Sequence, residues 1–147
     1  MSLSPARGDD GIQDLAVLLH DLCAERQPGI YRFARIDHVD ALDLDRLICL
    51  MHEPEGLSIV ARESELPAGA RTAEPPCCWI TLQVHSSLAA VGLTAAVASA
   101  LAQANIACNV VAGTRHDHLF VPVNKADAAM AVLKGLQNRS DDHGTTP

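Results

Sequence analysis

Apolar side chains recur along the chain with two different periods, and each change of period marks an element. Ile12, Leu15, Leu18, Leu19 and Leu22 are three or four residues apart, which places them on one face of a helix. Asp10 stands where an N-cap is needed, and Pro28-Gly29 closes the segment. Residues 30–36 carry Tyr31, Phe33 and flanking isoleucines, a strand composition. Residues 37–45 are acidic and irregular and read as a loop or short helical turn. The apolar runs 47–52 and 57–62 are separated by Glu53-Pro54-Glu55-Gly56. Proline second and glycine fourth fit a type I turn, so a β-hairpin is predicted. Residues 63–66 begin a short helix that Pro67 and Gly69 end, and residues 67–76 read as a linker.

The second half is more regular. Over residues 78–85, Ile80, Leu82 and Val84 alternate with Trp79, Thr81, Gln83 and His85, the pattern of a half-buried strand. Ser86-Ser87 breaks it. A helix over residues 92–104 turns Leu93, Val97, Ala100, Leu101 and Ala104 inward. Strands follow over 106–112 and 116–123, joined at Gly113-Thr114. A closing helix over 127–136 turns Ala128, Ala131, Val132 and Leu136 inward. The order strand, helix, strand, strand, helix is a split β-α-β unit without its final strand. The first half has a strand to spare, so the two halves are expected to complete each other's antiparallel sheets. The predicted class is α+β, with an N-terminal half over residues 11–70 and a C-terminal one over 77–137. Residues 1–10 and 138–147 are expected to be flexible tails.

Composition narrows the function. The chain has 147 residues, and a chain of this size buries enough surface to fold without disulfides or a structural metal. Eleven Lys+Arg against 18 Asp+Glu give a net charge of −7, and aromatic residues make up 3%. A nucleic-acid partner is therefore not expected: both the basic face and the stacking platforms it needs are missing. No run matches the roughly 20 apolar residues of a spanning helix, so no membrane partner is expected. Asp9 and Asp10 lie where a signal peptide would be apolar, and the five cysteines form no regular framework. Both features fit a cytoplasmic protein with reduced thiols.

Catalytic motifs find no foothold. His52-Glu53 opens like a zincin helix, but Pro54 breaks it and Gly56 stands in place of the second histidine. Cys77-Cys78 is a vicinal pair, better suited to a strand entry than to redox or metal chemistry. There is no nucleophile elbow, phosphate loop or dinucleotide fingerprint. No enzyme activity and no cofactor are expected.

Two longer stretches carry a resemblance. Val91-Gly92-Leu93-Thr94-Ala95, running on to Leu101-Ala102-Gln103-Ala104-Asn105-Ile106, resembles the first helix of an ACT domain. With Val84-His85-Ser86-Ser87-Leu88, His116-Asp117-His118-Leu119-Phe120-Val121 and Glu53-Pro54-Glu55-Gly56-Leu57, it is similar to small bacterial proteins built from two ACT-like halves. These are distantly akin to cytosolic arginine-sensing proteins with paired ACT domains. The resemblance covers most of residues 11–137. It implies ferredoxin-like βαββαβ modules, a regulatory small-molecule effector such as an amino acid, and a homodimer. One feature departs from the family pattern: the turn over residues 86–91 is longer, with no acidic residue and no proline.

The physical reading of that turn is independent. Free amides and the positive end of the helix dipole suit a carboxylate at the start of the second-half helix. Ser86 and Ser87 add hydroxyl donors, and Gly92 leaves the backbone open to a guest. The candidate ligand-binding residues are Ser86, Ser87, Leu88, Val91, Gly92, Leu93 and Thr94, at an interface between ACT units. The same serines and glycine also serve simply to cap a helix and shape a bend. A second reading places His85, His116 and His118 on one sheet face, where three imidazoles can hold a transition metal. Against it stands a polar face or subunit interface shared with Thr81 and Gln83. A third reading is a self-association module without a ligand.

Overall fold

A computed structural model describes residues 11–39 and 42–141. The predicted first helix is cut short. Only α1 (Leu15–His20) is helical, and its cap is Asp14, whose carboxylate accepts from the Val17 amide at 3.1 Å. Asp10 lies outside the described residues, as do residues 1–10 and 142–147 of the two expected tails. After α1 the chain extends into β1 (Ala24–Arg26) because its backbone pairs across the molecule, and tertiary pairing overrides the leucine spacing.

Strand β2 (Tyr31–Ile36) follows, then the predicted hairpin of β3 (Leu47–Glu53) and β4 (Gly56–Arg62), with Glu53 opposite Gly56. Gly56 has φ +138°, which only glycine adopts freely. The expected linker is partly structured, because β5 (Arg71–Thr72) pairs with β2. The second half supplies β6 (Cys77–Leu82), α2 (Leu93–Gln103), β7 (Asn109–Ala112), β8 (Asp117–Pro122) and α3 (Ala126–Asp141).

Asn105 ends α2 with φ 56°: its amide donates to the Ala102 carbonyl at 2.9 Å, and the Ile106 amide to Leu101 at 3.0 Å. This pair of bonds is a Schellman stop, with Leu101 and Ile106 both buried. α3 runs on past Gln137, and its buried face is Ala126, Ala129 and Leu133. Ala128 and Ala131, expected inward, are exposed. Alanines on every side of the helix leave its apolar face ambiguous.

All the strands join one eight-stranded sheet in the order β3-β4-β2-β6-β8-β7, with β1 beside β6 and β5 beside β2. Ala24 lies opposite Leu82, and β2 continues along the same edge with Tyr31 opposite Cys77. The run β1-β6-β8-β7 is therefore a complete split β-α-β sheet whose last strand comes from the first half. The halves do complete one sheet, as the strand count predicts.

The three helices cover one face. Leu18, Leu22, Ile80, Leu82, Val97, Leu101, Leu119 and Leu133 meet there, each no more than 1% exposed. Burial of each such side chain contributes about 1.5–3 kcal/mol. On the opposite face the sheet curls, so that Cys49 of β3 and Val111 of β7 join the cluster around Tyr31, Val60, Cys77 and Phe120.

Candidate functional site

The turn between β6 and α2 is held from both sides. The Ile12 amide donates to the His85 carbonyl at 2.8 Å, and the Ser87 amide to the Ile12 carbonyl at 3.0 Å. This parallel bridge, Ile12 to Ser86, anchors the N-terminal segment. A Cβ on Gly11 would lie 2.6 Å from the Ser87 nitrogen, so only glycine passes here. Ser87 Oγ accepts from the Ala89 amide at 3.1 Å, which leaves its own proton available for donation.

Helix α2 begins at Gly92 with no side-chain cap. Its first amides have no intrahelical partner. Beside them is a cleft of about 100 Å³, lined by Ser86, Ser87, Leu88, Leu93 and Thr94 together with Ala112 and Asp117. Five of the seven predicted residues thus converge on one hollow. The other two do not. Val91 projects outward at 83% exposure, and Gly92 faces Leu15, whose Cδ2 would lie 2.9 Å from a Cβ there. Gly92 is required by its φ of +107° and by this packing, not to admit a guest.

Asp117 is the lining residue that the sequence reading did not place at this turn. Burial raises its pKa, partly offset by His118 and His116. The segment around the turn lacks an acid, but the first residue of β8 supplies one across the cleft. The cleft thus combines helix amides, hydroxyls and one carboxylate. That set can hold a carboxylate at one end and an ammonium at the other.

The histidine reading is corrected. Among the described residues no three His, Cys, Asp or Glu side chains are grouped to hold a metal ion. His118 turns into the curled face, where its Nδ1 accepts from the Trp79 indole N–H at 3.1 Å and lies 3.2 Å from the Thr81 hydroxyl. His116 Nδ1 instead lies 3.3 Å from the Val84 carbonyl. Two of the three imidazoles are thereby engaged with separate protein partners. Cys77 and Cys78 are buried strand residues, and burial pushes both thiols up, away from thiolate chemistry.

The β1-β6-β8-β7 unit is thus of ferredoxin type, with an uncapped helix start beside a small polar cleft. The comparisons agree. The ACT-domain family matches residues 10–70 and again residues 74–135. VC0802 from Vibrio cholerae, a protein of unknown function described as a possible transport protein, is 39% identical with a TM-score of 0.73, over 84% of this chain and 95% of that one. The chain belongs to the ACT-domain family. Two further structures share its fold. Atu0741 from Agrobacterium tumefaciens is 22% identical with a TM-score of 0.62, over 79% of this chain and 89% of that one. The regulatory subunit of aspartate kinase from Thermus flavus is 9% identical with a TM-score of 0.53, over 78% and 95%. No curated protein matches the chain. ACT domains are regulatory ligand-binding modules, and that is the class of this protein. No helix among the described residues is long and apolar enough to cross a membrane.

Proposed function

We propose that the protein is a non-enzymatic sensor that binds a small amino acid in the cleft between the start of α2 and Asp117. The observation that carries this reading is the uncapped α2 N-terminus facing a half-buried carboxylate. The ligand carboxylate accepts from the first α2 amides and from Ser87. Its ammonium pairs with Asp117. In this reading residues 11–70 and 77–137 are the two halves, and the free cysteines suit a cytoplasmic setting.

A cleft of about 100 Å³ holds little more than a small amino acid, so a second wall is needed for tight enclosure. Leu88 at 73% exposure and Val91 at 83% flank it, and a second copy of the chain in a homodimer would cover them. Ligand binding then favours one arrangement of units over another, because it acts only on an equilibrium whose states it binds unequally.

Calorimetric and thermal-shift titration with each of the twenty amino acids tests the proposal. At least one, at millimolar concentration, is expected to stabilise the protein. A ligand at 100 times its Kd contributes about 2.7 kcal/mol. Asp117→Asn is expected to weaken binding at least about tenfold, equivalent to about 1.4 kcal/mol. No response to any amino acid, or full binding in Asp117→Asn, would overturn the assignment.

A further inference from the structure

The curled face of the sheet gathers the chain's one tryptophan, one tyrosine and two phenylalanines into one cluster. The Tyr31 and Trp79 rings are 5.3 Å apart, Phe33 and Phe120 5.4 Å, and Trp79 stacks on Phe120 at 6.2 Å. Beside Phe33 this cluster gives way to a pocket of about 290 Å³ whose apolar wall includes Cys49, Met51, Val60 and Val111. The volume is near the lower end of the roughly 300–1,000 Å³ typical of small-molecule sites, the right scale for one small metabolite. The pocket lies on the face opposite the helices, away from the α2 turn.

Charge at the rim selects the guest. Arg35 and Arg71 line the pocket, and both lean on the single carboxylate of Asp37, Arg35 from 3.8 Å and Arg71 in direct contact. Among the described residues these two guanidiniums share one carboxylate, so the group carries a net positive charge. Glu53 also lines the pocket, and its hydrogen-bond partner is the neutral Ser58 hydroxyl. Among the described residues no cation pairs with it, which adds one negative charge to the rim. One spare charge of each sign beside an apolar wall is complementary to a zwitterion with an apolar tail. A simple anion would meet Glu53, and a simple cation would meet the arginines.

We infer that this pocket is a second ligand site, independent of the α2 turn, for a small apolar zwitterion of the α-amino-acid type. The guest's carboxylate sits against Arg35, its ammonium against Glu53, and its side chain against Phe33, Val60 and Val111.

Isothermal titration of the full chain with L-leucine tests this, with 4-methylpentanoate and 3-methylbutylamine as analogues lacking the ammonium or the carboxylate. Saturable binding of L-leucine at millimolar concentration or below is expected, with either analogue at least about tenfold weaker. Ala73→Trp fills the mouth from an exposed position and is expected to abolish binding without lowering the melting temperature. Arg35→Glu is expected to weaken it about tenfold or more. The inference is overturned by an absence of L-leucine binding, or by 4-methylpentanoate binding equally well. It is also overturned if binding survives Ala73→Trp but is lost in Asp117→Asn, which would return the ligand to the turn. Loss of self-association in Ala73→Trp, with no L-leucine bound by the original chain, would assign the face to a second copy instead.

Discussion

Burial lowers the proton affinity of His118, with His116 adding to the effect and Asp117 opposing it. Its Nδ1 accepts from Trp79, a bond that only an unprotonated nitrogen can make. The unfolded chain takes up this proton near the ordinary value of about 6.5, before the folded chain does. Stability therefore falls as pH drops from there through the lowered folded value. Asp117 has the opposite sign: burial raises its folded pKa, so its charge costs stability as pH rises from the ordinary carboxylate range through the raised value. Urea titrations across pH are expected to show His118→Phe losing the acid-side decline. Asp117→Asn is expected to gain stability near neutral pH and no advantage in acid. A third residue prediction concerns backbone. Gly11→Ala places a Cβ 2.6 Å from the Ser87 nitrogen, where backbone cannot yield, at a cost of about 1–3 kcal/mol in urea unfolding. The lining of the α2 cleft was unevenly legible in the sequence. That Ser87 and Thr94 line the α2 cleft could be read from the strand-to-helix turn, whereas the Asp117 wall could not, because nothing local shows what β8 brings across from α2.

At the scale of elements, alternation carried its information well. Ile80, Leu82 and Val84 are buried where their period places them, and the hairpin forms about Pro54-Glu55. Helical faces rich in alanine carried less: in α3, Val132 and Leu136 pack against the core as expected, while Ala128 and Ala131 do not. The same helix offers a clean test. Gly135 sits inside α3, and a Cβ there meets nothing within 4 Å. Gly135→Ala removes the entropic cost of glycine without a clash and is expected to stabilise the chain by about 0.5–1 kcal/mol. A higher thermal midpoint with unchanged helical circular dichroism would support this; a lower midpoint would mean that α3 needs the gap. The failure at β1 has another origin. Ala24–Arg26 has no strand pattern of its own and becomes a strand only because the edge of β6 is free to receive it.

At the scale of the molecule, that pairing joins the two family matches in one sheet. The second match begins at residue 74, yet its sheet is completed by β1, and its helical layer is completed by α1. Leu18 is 0% and Leu22 1% exposed in the core shared with Ile80, Leu133 and Val97. Removing residues 11–27 strips two large side chains from that core and leaves the β6 edge unpaired. A half-length chain is already marginal in the surface it can bury. A fragment of residues 74–147 is therefore expected to lack cooperative unfolding by circular dichroism. Adding a synthetic peptide of residues 11–27 in trans is expected to restore a cooperative transition and slow amide exchange in β6. The physical reason is specific: the peptide returns both the strand opposite Ile80–Leu82 and the Leu18 and Leu22 side chains of the helical face, whereas the rest of the first half packs on the opposite, curled face. A fragment that unfolds cooperatively at the midpoint of the full chain would show instead that β1 and α1 are accessory, and that the two modules are joined without depending on each other.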